Sequence, residues 1–314
     1  MTLLDLNHAT IENRHLSNLI EDLPTDCFFN KVLCGAGGTH LALVNPNPYV
    51  ILVPTTDLII SKREKTYPTE VMYVFGNVTV ATITEYLNSG GNKIMSTYHS
   101  LPKVLEAFSN SVKDTEEFQL LVDEAHMLTE GDDKDFMHNE INYILQSYTK
   151  FKTYCFMTAT PFPLECFPEQ IKDVEYVTAE WNPEVIEVTT VKAQQITSKF
   201  IDYVTKIALD HIDGTKEGNA YFFYNSVEAI SQVCYKLLKA GLCSVSDIRI
   251  IAADKNSSYI HKYVSTELNI ESVVSSPKKL NFLTAKAFEG CDIYDEDGVT
   301  YVCADARKKH TRLE

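Results

Sequence analysis

The chain has 314 residues, is 45% hydrophobic and carries a formal charge of −15. That apolar content supports one large or two medium domains, and the charge excludes a broadly basic nucleic-acid coat while leaving room for a local groove. There is no run of about eighteen apolar residues that would cross a membrane, and the start "MTLLDLNHATIENRHL" lacks a signal-peptide pattern. A cytoplasmic setting is expected, with the eight cysteines, none in a C-x-x-C pair, as free thiols.

In chain order, "KVLCGAGGTHLAL" (31–43) comes first. It reads as a strand, a glycine turn and a helix start. Such a turn gathers backbone amides around one point and suits a phosphate. Gly35, Gly37 and Gly38 permit the left-handed angles required. Thr39 is a candidate magnesium ligand. Lys31 is placed on the strand, pointing away from the phosphates. By itself a glycine turn between strand and helix is a weak signal.

The runs 49–54, 70–75, 93–98, 118–124 and 153–159 read as buried strands, with helical patterns such as "VTVATITEYLNSG" and "NEINYILQSYT" between them. That alternation predicts a parallel sheet covered on both faces. "FQLLVDEAHML" (118–128) runs an apolar strand into two carboxylates, at the sheet edge where α/β proteins bind ligands. Asp123 would hold magnesium, and Glu124 would orient and deprotonate an attacking water. A solvated helix cap is the plain alternative. "FMTATPFP" (156–163) ends another strand with small hydroxyl residues.

"TAEWNPEVIEVTTVK" (178–192) carries a proline and no helical period, so it reads as a connection. A helix over about 194–211, a strand at 219–225, a helix at 227–240 and strands near 248–254, 279–285 and 298–305 then predict a second α/β domain. The expected division is a first domain over 1–177, a connection over 178–193 and a second domain over 194–314.

In ordered series these motifs resemble those of superfamily 2 helicases of the DEAD/DEAH-box type, with similarity to divergent phage and mobile-element members. "CGAGGTH" resembles motif I, with Gly38 in place of lysine. "VPTTDLIISK" (53–62) resembles motif Ia, "STYHSL" (96–101) the "TYxSL" motif, "VDEAH" motif II and "MTATP" (157–161) motif III. "YFFYNSVEAI" (221–230) resembles motif IV, and "FLTAKAFEGCDI" (282–293) motif V.

The resemblance implies two tandem RecA-like parallel-sheet domains, with ATP and Mg2+ between two lobes and nucleic acid across both. It implies nucleotide contacts from Gly35, Ala36, Gly37, Gly38, Thr39, His40, Gly290 and Asp292, metal contacts from Thr39 and Asp123, and catalysis by Asp123 and Glu124. DNA or RNA, single-stranded or duplex, would lie along Pro54, Thr55, Thr97, Tyr98, Asn225 and Thr284. Core packing is the alternative for Tyr98. His126, Thr158 and Thr160 would couple the sites, although His126 also fits a histidine bonded within its own turn. Motif VI, Q-x-x-G-R-x-x-R, is not found before Glu314, so the second domain is expected to be C-terminally incomplete.

Two functions are therefore carried forward. One is an ATP-dependent helicase or translocase core. The other is a catalytically impaired nucleic-acid-binding or scaffolding module, favoured by Gly38. A dinucleotide-binding enzyme is disfavoured because "GAGGTH" lacks the last glycine of G-x-G-x-x-G.

Overall fold

A computed structural model of the chain describes residues 2–129, 137–160, 166–186, 192–196, 199–287, 293 and 295–304. The chain divides into two compact units, Met1–Thr189 and Thr190–Glu314.

The first unit contains strands β1 (Thr2–Leu6), β2 (Cys27–Asn30), β3 (Tyr49–Val53), β4 (Met72–Val74), β5 (Lys93–Thr97), β6 (Gln119–Asp123), β7 (Thr153–Thr158) and β8 (Glu175–Trp181). Its helices are α1 (Leu16–Leu19), α2 (Gly38–Val44), α3 (Thr56–Arg63), α4 (Val80–Asn88), α5 (Leu101–Ser109) and α6 (His138–Ser147). The strands form one sheet in the order β1-β8-β2-β7-β6-β3-β5-β4, and every pairing is parallel.

Alternate strand residues enter two cores. Phe28, Val50, Leu52, Val122 and Phe156 pack with α4, α5 and α6. Phe29, Ile51, Val53, Leu121 and Met157 pack with α1, α2 and α3. Burial on both faces explains why these strands read as unbroken apolar runs.

The second unit contains α7 (Phe200–Ile212), β9 (Ala220–Phe223), α8 (Val227–Lys239), β10 (Ile248–Ile251), α9 (Ser257–Tyr263), β11 (Leu280–Leu283) and β12 (Val299–Val302). Its strands form a parallel sheet in the order β10-β11-β9-β12. The three helices pack on one face. A smaller cluster of Tyr221, Ile251, Val273, Leu283 and Ala287 covers the other.

Three expectations are corrected. The first sheet does not stop at residue 177, because β8 pairs with β2 as far as Thr178 and with β1 as far as Trp181. Pro183, which suggested a connection, lies beyond that strand. The helix expected from 194 begins at Phe200, where Lys199 adopts a left-handed φ of 55° and redirects the chain. The strand feeding the glycine loop is Cys27–Asn30, so Lys31 lies just past it. The terminal strand β1 was not anticipated.

Candidate nucleotide site and nucleic-acid surfaces

The glycine loop leaves β2 through a tight turn. Val32 sits at φ 61°, a costly angle for a β-branched residue. The Asn30 side chain holds the turn by accepting from the Val32 amide at 3.0 Å. Lys31 is fixed from several strands at once. Its amide donates to Thr158 O at the end of β7, 2.8 Å. Its carbonyl accepts from the Trp181 indole at the end of β8, also 2.8 Å, and from the Leu33 amide. Gly35 and Gly37 follow at φ 73° and 78°. At Gly37 an added Cβ would also come within 3.3 Å of His15 Nδ1. Ala36 is buried, and its carbonyl accepts from the Leu16 amide.

Gly38 opens α2 with Met157 directly beneath it. A Cβ at Gly38 would lie 2.3 Å from Met157 Sδ and 2.7 Å from its Cε. At position 38, where the motif that the sequence resembles has lysine, a core methionine fills the place of the first side-chain atom.

Thr39 and Asp123 meet. The Thr39 hydroxyl donates to Asp123 Oδ2, which joins the glycine loop to the end of β6. Asp123 Oδ1 accepts from the Glu124 amide at 3.0 Å and lies 3.9 Å from Lys31 Nζ. The Tyr98 hydroxyl donates to the Asp123 carbonyl. Asp123 is 2% exposed, so its side chain opens only onto this cluster. Glu124 has a left-handed φ of 54°, a strained backbone of the kind that gathers at functional sites.

His126 Nδ1 lies 3.0 Å from Thr158 Oγ1 and 3.4 Å from Glu124 Oε2. Burial lowers its pKa, with the Lys31 charge acting the same way and Asp123 opposing. Thr158 Oγ1 accepts from the Thr160 amide at 3.0 Å. The three coupling candidates therefore form one chain of contacts. His40 is half-buried beside Tyr67, and burial, then the charges of Lys65, Lys62 and His15, lower its pKa.

A hydroxyl and a carboxylate provide oxygen donors only, the donor chemistry of magnesium, which keeps water and phosphate oxygens for its other positions. No cluster of three His, Cys, Asp or Glu that could hold a metal is found among the described residues.

The nucleic-acid candidates fall on two sheet edges. In the first unit, Val53 of β3 is paired with Thr97 of β5, which sets Pro54 and Thr55 beside Thr97. The Thr55 side chain caps α3, and the Thr97 hydroxyl donates to Ser100 Oγ at 3.1 Å. Tyr98 is corrected: it is 1% exposed and packs against β6, since its ring fills the core and its hydroxyl is taken by Asp123. In the second unit, Asn225 Oδ1 accepts from the Ala285 amide, and the Thr284 hydroxyl donates to Ile251 O. They line an open groove of about 440 Å3 with Ser226, Asn256 and Lys286. Gly290 and Asp292 lie outside the described residues.

Sequence reasoning missed Lys31, which turns towards Asp123 instead of away, and Met157. The signal for Lys31 was Asn30, a residue that favours the turn just before it.

No protein-family model and no curated protein sequence matches the chain. Solved structures do. The DEAD-box helicase Mss116 bound to ssRNA and UDP-BeF aligns with a TM-score of 0.59 at 14% identity, over 93% of this chain and 69% of that one. Mss116p bound to ssRNA and AMP-PNP gives 0.55 at 15% identity, over 90% and 61%. The Mycobacterium smegmatis helicase Lhr bound to ssDNA and AMP-PNP gives 0.52 at 12% identity, over 85% and 38%. The chain thus spans about three fifths of one Mss116 structure and under two fifths of Lhr. At these identities the likeness is one of fold: two parallel-sheet units in succession, as in the helicase structures named above.

Proposed function

We propose that the chain is the core of an ATP-dependent nucleic-acid helicase or translocase that grips nucleic-acid backbones independently of sequence. The observation that carries this reading is the contact of Thr39 with Asp123, which joins a glycine loop to a carboxylate pair at a parallel-sheet edge. The fold likeness to helicases solved with single strands and nucleotide analogues supports it.

The loop 35–39, with His40, would seat the phosphates of Mg-ATP. Thr39 and Asp123 would hold the metal, which when bound neutralises charge developing on the phosphates. Glu124 would orient a water and accept its proton. The chain His126–Thr158–Thr160 would relay the occupancy of this site. Pro54, Thr55 and Thr97 on one unit, and Asn225 and Thr284 on the other, would contact backbone phosphates. Backbone-directed contacts need few charges, so they are compatible with a net charge of −15.

A second reading, a nucleic-acid-binding module without turnover, is favoured by the methionine that fills the Cβ position of Gly38. Phosphate release from ATP, with and without a single-stranded oligonucleotide, separates the two. The motor reading expects release stimulated by the strand and abolished by Glu124→Gln. Strand binding without any release selects the module. Binding of neither strand nor nucleotide removes both.

A further inference from the structure

We propose that Lys31, rather than any side chain at position 38, supplies the cation that binds the nucleotide's phosphates. This assignment rests on the nucleotide reading above and adds to it the residue that holds the charge.

The side chain of Lys31 is 9% exposed, and its ammonium lies 3.9 Å from Asp123 Oδ1. That distance is an ion pair but too long for a hydrogen bond. An ammonium carries three donors, and among the described residues these meet no hydrogen-bond acceptor. The side chain is mostly enclosed, yet its Nζ is not one of the fully buried unpartnered atoms, so a ligand can reach it. The site therefore presents a cation that a ligand can reach, sharing Asp123 with the Thr39 hydroxyl of the glycine loop. Phosphate oxygens entering there supply both the acceptors and the negative charge.

The backbone makes this placement specific. Thr158 O, the Trp181 indole and the Asn30-capped turn fix Lys31 just past β2. The left-handed Val32 then carries the chain away from the strand, which leaves the lysine at the head of the loop. A side chain at position 38 would first have to displace the thioether end of Met157. The two features are complementary: Met157 occupies the first side-chain position at 38, and Lys31 brings an ammonium to Asp123 from the opposite end of the loop.

Were Asp123 to hold a divalent cation, a lysine still paired with that carboxylate would be repelled. Exchanging Asp123 for phosphate oxygens removes the conflict. Lys31 is thus expected to bind polyphosphate and to leave nucleoside recognition untouched.

The test is calorimetric titration of the full chain with AMP-PNP and with adenosine, each in magnesium and in EDTA. Lys31→Met keeps the stem and removes the charge. Loss of charge-assisted hydrogen bonds predicts AMP-PNP affinity about 10- to 100-fold weaker, with adenosine affinity unchanged and Lys31→Arg close to the parent. Trp181 fluorescence reports whether each variant is folded, and if Lys31→Met melts, Lys31→Gln takes its place with the same loss expected. Equal AMP-PNP binding by the parent and the charge-free variant overturns the Lys31 assignment alone. A parent chain that binds no AMP-PNP overturns the nucleotide reading and the assignment with it.

Discussion

Gly38 and Met157 are expected to be energetically coupled. Gly38→Ala adds a single carbon, which would sit 2.3 Å from Met157 Sδ and 2.7 Å from Cε, with Leu16 Cδ1 at 3.7 Å. Met157 is fully buried, so its thioether end must move within a packed core. Overpacking of this kind costs about 1–3 kcal/mol. Met157→Ala alone empties core volume and costs about 2–5 kcal/mol. In the double variant the new methyl occupies space the sulfur has left, so the pair is expected to cost no more than Met157→Ala alone. The interaction term is then about 1–3 kcal/mol, well outside the roughly 0.3–0.5 kcal/mol scatter of independent sites. Urea unfolding followed by Trp181, the chain's single tryptophan, confines the signal to the first unit. Additive costs within that scatter would refute the claim that Met157 holds position 38 as glycine. The same geometry predicts that a lysine restored at 38 needs Met157 shortened before it can be seated.

Two further outcomes are expected. Lys93 is fully buried, donates to Ala42 O and Asn47 O, and is pushed by burial from 10.5 to about 8. Between those values the unfolded chain binds the extra proton, so stability rises with pH across that window. Unfolded tyrosines ionise near 10.0 and reverse the trend, because burial raises the folded pKa of Tyr49 and Tyr86. The melting-temperature gap between the parent and Lys93→Met should therefore widen from pH 7 to about 9.5, and a flat gap would contradict the buried charge. Thr158→Val removes the hydroxyl facing His126 but keeps the carbonyl that receives the Lys31 amide. AMP-PNP affinity should hold while strand-stimulated ATP hydrolysis falls, and equal losses in both would show that Thr158 serves the fold alone.

What could be read in the sequence was what repeats locally. Strands buried on both faces announce themselves as apolar runs, and β3, β5, β6 and β7 do so. The Thr39–Asp123 meeting was also legible, because a glycine turn and a strand-end carboxylate on one parallel sheet edge have few other places to go. Failures came where tertiary contacts overrode local preference. "KVL" looks like strand, yet Val32 is left-handed because Asn30, Thr158 and Trp181 hold the turn around Lys31. "TAEW" sits before a proline and looks like a link, yet it completes β8: Thr178 pairs on both sides, and Ala179, Glu180 and Trp181 pair with β1. Tyr98 offers a plausible contact residue in sequence, but its hydroxyl is used inside the core. Apart from Asn30, two residues from Val32, these partners lie too far away in sequence for a local pattern to reveal them.

The same distinction bears on how a departure from a motif should be weighed. A loop missing its lysine is incomplete only if no other cation reaches the phosphate position, and this depends on three-dimensional placement. Here β7 contributes a carbonyl to Lys31, β8 an indole, and β2 the asparagine that turns the chain. Thr158, which gives the β7 carbonyl, also faces His126 through its hydroxyl, and His126 faces Glu124. A displacement of Lys31 on phosphate binding would thus act on the residue that links the loop to the acidic pair. If Lys31 binds the phosphates as proposed, the loop is a rearranged site; if it does not, the Met157 packing beneath Gly38 leaves the module without turnover as the reading.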